Sequence, residues 1–183
     1  KGAGRCLIAH PVNPPYLIRA VELIGSSLTT EKTIETCAAF LASAGHKIVR
    51  LNREIDGFVV NRLQAALLDE AFRLVEDGIA EPEDIDVAIR DGLANRWVIM
   101  GPFETIDLNA PGGVADYVDR YGPMYDRIAI GNSGRPDWTG QVVRTVERSR
   151  RSRLPIDDIS ARSQWRDEQL IKLRIHKKKS GLE

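Results

Sequence analysis

The chain has 183 residues, with 26 lysines and arginines matched by 26 aspartates and glutamates, so its formal net charge at pH 7 is zero. That balance excludes the sustained positive field that draws a protein to nucleic acid or an anionic membrane surface, and no stretch approaches the ~20 apolar residues of a spanning helix. Two cysteines, Cys6 and Cys37, with no CxxC pair and no histidines at ligand spacing, support neither a disulfide framework nor a zinc site; the expected setting is the cytoplasm, and the expected partner a small molecule or another protein chain.

The chain starts Lys1-Gly2-Ala3-Gly4 without an initiator methionine, which reads as a fragment or a cleaved form of something longer. Cys6 to Ala9 is a continuous apolar run, the pattern of a strand covered on both faces, and His10 is its exit. Pro11, Pro14 and Pro15 then forbid helix. Ala20 to Ile24 reads as a second strand with Glu22 on the face opposite Val21 and Leu23. Thr30 to Ala44 has helical spacing at Ile34, Cys37 or Ala38, and Leu41, with Gly45 where a C-terminal cap belongs, and His46 to Asn52 alternates as a strand. Strand, strand, helix, strand is the pattern of the end of an α/β domain.

Beyond Asp56 the pattern turns helical. Phe58 to Asp77 carries Val60, Leu63, Leu67, Ala71 and Leu74 along one stripe and ends at Gly78. A helix with Pro82 in its first turn is expected to close at Gly92. Short helices are expected over Phe103 to Asn109 and Val114 to Tyr121, separated by Pro111-Gly112-Gly113, then a loop over Gly131 to Pro136. A last helix is expected from about Asp158 to Lys178, with Trp165, Leu170 and Leu173 as its apolar members. The cluster Arg144, Arg148, Arg150, Arg151 and Arg153 lacks interleaved aromatics and reads as a solvated helix face, and Lys177 to Lys179 as a fraying helix end.

Three residues stand out chemically. His10 ends a strand where α/β sheets gather ligands; it is either a reactive imidazole or a hydrogen-bonded polar stop. If the proline-bearing segment folds back, Glu22 lies beside it, and a carboxylate there would fix the tautomer and orient the ring of a general base; otherwise Glu22 is an exposed strand residue. Asn61, one turn into the long helix, can donate to a substrate oxygen or bond the preceding loop.

HPVNPPYLIRAVELIG, IDGFVVNRLQAALLDEAFRLVEDGIAEPEDID, GPFETIDLNAPGG and RSQWRDEQLIKL, in this order along nearly the whole chain, resemble the C-terminal half of the 3-hydroxyacyl-CoA dehydrogenase family, nearest to its lambda-crystallin and L-gulonate 3-dehydrogenase branch. The resemblance implies an NAD-dependent oxidoreductase interconverting a 3-hydroxy and a 3-oxo group, with His10 and Glu22 as the catalytic pair, Asn61 at the substrate and Asn13 on the cofactor side. The substrate it implies is a hydroxyacyl-CoA or a small free hydroxy acid such as L-gulonate. His10-Pro11-Val12-Asn13 lacks the aromatic residues that acyl-CoA members carry after the histidine, which favours the free acid, and Arg96 is then either its carboxylate ligand or a surface arginine.

The fold class that follows is mainly α: an all-helical, homodimer-forming domain over 55–183, preceded by the last strands and a helix of a Rossmann-type α/β domain over 1–54. Gly2-Ala3-Gly4 precedes a strand and has Leu7 where a third glycine belongs, so it fails as a dinucleotide fingerprint. NAD is accordingly expected to be bound mainly by a portion outside this chain. The competing reading is a catalytically inactive helical module, crystallin-like, lacking the cofactor half.

Overall fold

The computed structural model describes residues 2–13, 15, 18–76, 78–128, 144, 147–148, 151–152 and 154–180. The expected loop at Gly131 to Pro136, Arg150 and Arg153 lie outside the described residues. Contacts divide the chain into two compact units, Lys1–Pro82 and Glu83–Glu183.

The first unit is built on a three-stranded sheet in the order β1 (Leu7–Pro11), β2 (Ala20–Gly25), β3 (Lys47–Leu51). β1 runs antiparallel to β2, and β2 parallel to β3. The parallel pair needs a crossover, and α1 (Glu31–Ser43) supplies it, packing on β2 and β3. Central position explains burial: Val21, Glu22, Leu23 and Ile24 are all buried. β1, expected to be covered on both faces, is instead at the edge of this sheet, with Ile8 exposed.

α1 is tied to the turn before β1. The Thr30 hydroxyl caps the helix by accepting from Thr33 N–H at 3.3 Å. The Thr33 hydroxyl donates to the Gly4 carbonyl at 2.8 Å, and the Thr29 hydroxyl to the Cys6 carbonyl at 2.6 Å. Gly25 allows the helix to close down on the sheet, since a β-carbon there would stand 2.9 Å from Ile34 Cδ1. The unit continues into α2 (Val60–Glu76).

The second unit is helical: α3 (Pro82–Val87), a π-helical turn at Ala88–Leu93, α4 (Ala94–Trp97), α5 (Pro102–Asp107), α6 (Gly113–Ile128) and α7 (Ile159–Lys179). Gly92 does not end a helix; the π turn carries the chain past it into α4. α6 runs on from the expected stop at Tyr121 and contains Pro123. Met100, Leu108 and Ile159 form a buried cluster, with Ile99, Leu154 and Trp165 packed against it.

Asp107, fully buried, organises this unit. Its Oδ1 accepts from Val114 N–H at 3.2 Å, capping α6, and pairs with Arg151. Arg151 Nε also meets Glu147 Oε1 at 2.9 Å. Gly113, at φ 76°, is required at this crossing, because a β-carbon there would lie 2.9 Å from Asp107 Oδ1. The expected solvated arginine face is thereby corrected at Arg151, which turns inward because a buried carboxylate needs a counter-charge.

The chain is mainly helical as expected, but the sheet in front is not only a terminal remnant. The sheet, α1 and α2 make a compact unit of their own through Pro82. The physical reason is a side chain in the central strand: Glu22 reaches the first N–H groups of α2 and fastens that helix to the sheet.

Candidate active site

The site grows from strand register. His10 and Glu22 are directly paired across β1 and β2, so their side chains share a face. His10 Nδ1 lies 2.8 Å from Glu22 Oε2. The carboxylate is completely buried while the imidazole is 35% exposed, so the pair has one sealed partner and one open to a ligand. Glu22 Oε1 accepts two further hydrogen bonds, from Val59 N–H at 2.7 Å and Val60 N–H at 2.9 Å. These are N–H groups at the start of α2, which have no acceptor within the helix.

Burial alone would raise the Glu22 carboxyl, but the hydrogen bonds from His10, Val60 and Val59, together with the attraction of the imidazole when protonated, outweigh it and hold the group below its ordinary value. An ionised Glu22 acts only as acceptor, so it places the imidazole proton on Nδ1 and leaves the Nε2 lone pair free in the neutral ring. That is the form of a general base.

One wall of the site was not read from the sequence. Phe58 packs its ring on the imidazole, with centroids 5.0 Å apart and planes inclined by 55°. It was counted only as the first residue of a helix. The available signal was Gly57 immediately before an apolar run, a mark of unusual backbone geometry.

The structure brings His10, Glu22 and the start of α2 together. Asn61 is the second residue of α2 and exposed, and Asn13 is exposed in the bend after β1. Arg96 belongs to the second unit, on α4, where it is half-buried and its charge favours ionisation of Tyr117. Tyr117 itself is pushed upward by burial and by the Tyr125 hydroxyl 2.9 Å away.

A nicotinamide cofactor has a reactive end and a phosphate end, and the described residues fit the first. The exposed side of His10 offers a proton acceptor where hydride chemistry requires one. Gly2-Ala3-Gly4 does not form a phosphate cradle: Gly2 caps a 3-10 turn over Ala3–Arg5 before β1, and a β-carbon on Gly4 would stand 3.2 Å from Thr30 Cγ2. These close approaches serve packing against α1.

Comparison with known proteins agrees with this geometry. Residues 57–152 match the family model for the 3-hydroxyacyl-CoA dehydrogenase C-terminal domain, and residues 1–55 that for the NAD binding domain of the same family. The second match completes the correction of fold class, since the first 55 residues belong to an NAD binding domain and the chain is not only a C-terminal part. It also narrows the expectation about the cofactor, since part of an NAD binding domain lies within this chain.

Lambda-crystallin of Oryctolagus cuniculus is 42% identical over 171 residues, 92% of this chain and 53% of its own length. The L-carnitine dehydrogenase of Streptomyces griseus is 42% identical over 121 residues, 66% of this chain and 36% of its own. The solved 3-hydroxyacyl-CoA dehydrogenase of Archaeoglobus fulgidus superposes with a TM-score of 0.65 at 26% identity, covering 97% of this chain and 60% of that one. The chain spans about half the length of the lambda-crystallin relatives it matches.

Proposed function

The chain belongs to the 3-hydroxyacyl-CoA dehydrogenase family, and from that premise we propose that it is part of an NAD-dependent dehydrogenase that interconverts a 3-hydroxy and a 3-oxo group. The observation that carries the reading is the bond between His10 Nδ1 and the sealed Glu22 carboxylate. In the oxidative direction His10 Nε2 takes the hydroxyl proton while the hydrogen on the same carbon leaves as hydride, and the C–O bond becomes a carbonyl. NAD, when bound, supplies the acceptor for that hydride. Glu22 orients the ring and stabilises the imidazolium that forms; in the reverse direction His10 returns the proton.

Asn61 is assigned to the substrate, as a donor to its oxygen; Arg96 is the candidate that the family resemblance offers for a free carboxylate. Asn13, three residues beyond His10, is assigned to the cofactor side. We read the substrate as a small free 3-hydroxy acid, with a hydroxyacyl-CoA as the alternative. A homodimer is part of the reading: α2 leaves Leu63 of its apolar stripe and Leu68 flanking it exposed, and a second copy is the occupant that would cover them. A cytoplasmic setting fits the two free cysteines.

The test is NAD reduction by the protein in its full natural length, offered L-gulonate and L-3-hydroxybutyryl-CoA in parallel. Turnover of the free acid at the higher kcat/KM supports the reading, preference for the thioester moves it to the alternative substrate, and turnover of neither overturns it.

A further inference from the structure

Among the described residues Phe58 is the one non-glycine with a positive φ, 50°, and it follows Gly57 at 77°. Left-handed backbone is unfavourable for a residue with a β-carbon, and it persists where the surroundings impose it. A helix beginning at Val60 has no need of this entry, since an ordinary extended residue would serve. What the entry achieves is local. The turn is closed by Phe58 N–H donating to the Ile55 carbonyl at 3.0 Å. The chain then leaves it with two successive N–H groups, those of Val59 and Val60, converging on one atom, Glu22 Oε1. From the same residue, the ring packs on the His10 imidazole.

We propose that Phe58 is a positioning residue for the His10–Glu22 pair, its left-handed backbone fixing the carboxylate and its ring fixing the imidazole. The proposal rests on the reading of that pair as the base of an alcohol oxidation. The two tasks explain the residue type. Glycine adopts this backbone freely but leaves the imidazole uncovered, whereas a β-branched residue resists the backbone. An aromatic residue that is held in the turn by Gly57 and the Ile55 carbonyl does both.

The experiment compares Phe58→Gly, Phe58→Val and Phe58→Tyr in the full-length protein, reading kcat and KM separately together with amide hydrogen exchange at Val59 and Val60. Phe58→Gly is expected to keep amide protection and KM while kcat falls by about tenfold, from a loosened ring. Phe58→Val is expected to lose protection at both amides and to lower kcat by on the order of a hundredfold. Phe58→Tyr, which keeps ring and backbone, is expected to restore kcat. Wild-type kcat and exchange in both the glycine and valine variants, or a loss confined to KM, would overturn the proposal. If Phe58→Val does not fold, the glycine and tyrosine variants still decide it through the kcat split. Should the wild type oxidise no 3-hydroxy compound, the functional reading fails by itself, and amide exchange in the three variants still reports whether Phe58 holds Glu22.

Discussion

At Glu22 the two carboxylate oxygens are not equivalent, and this makes a sharp prediction. Oε1 is claimed by two backbone donors and Oε2 by the imidazole. In Glu22→Gln the amide oxygen must take the Oε1 position, because only an acceptor can meet Val59 and Val60 N–H. The NH₂ group then faces His10 Nδ1 and forces the ring proton onto Nε2, the tautomer that cannot act as base. The variant should fold, show the reversed tautomer by ¹⁵N NMR of the ring, and lose on the order of 10⁴-fold in kcat, the loss seen when a buried carboxylate that orients a catalytic histidine becomes an amide. Retention of the Nδ1–H tautomer would refute the assigned geometry.

The same carboxylate predicts a pH dependence of stability. Its folded-state value is held below the ordinary 4.5, so its contribution is fully present above 4.5 and is lost as pH falls through the lower folded value. The stability difference between wild type and Glu22→Gln in chemical denaturation should therefore shrink as pH is taken below about 4.5; a gap that widens on acidification contradicts the sign. The approach of His10 to Glu22 was legible from strand parity and from prolines that force the chain to turn. Phe58 was not, because a hydrophobic pattern reports side-chain period and is silent on φ.

The elements divide along the same line. α1 was legible because a capping threonine, apolar spacing and a terminal glycine all agree. The run from α3 to α4 was misread at Gly92, where a π turn continues the helix. α6 was read short, to Tyr121, yet it runs on through Gly122-Pro123, since a proline in a helix removes one donor and kinks its turn without having to end it. The anchor of α6 is Asp107, a fully buried charge whose cost is offset by the Val114 N–H and Arg151. Asp107→Ala would take the fully buried partner from the guanidinium, leaving it Glu147, and uncap the helix, and should destabilise the second unit by about 3 kcal/mol in chemical denaturation. A loss under about 1 kcal/mol would mean that the pair does not hold the unit together.

For the whole molecule, composition set the useful limits, since zero net charge and scattered cysteines left small molecules and other chains as partners. The class was harder to read. Apolar periodicity changes near Asp56, while the side chain that fastens α2 to the sheet comes from Glu22, far back in the chain. A local window cannot register a contact across that separation. The apolar face of α2 is where assembly can be tested: Leu67→Asp places an unpartnered charge on that stripe and should shift the sedimentation coefficient from dimer toward monomer at micromolar protein. An unchanged coefficient would remove α2 from the interface.

The central claim is that His10 is the proton acceptor in oxidation of a 3-hydroxy group. Its most direct test is steady-state NAD reduction by the full-length protein and its His10→Gln variant with the preferred substrate. Loss of roughly 10²- to 10⁴-fold in kcat with the fold intact is the predicted result; undiminished turnover by the variant would contradict it.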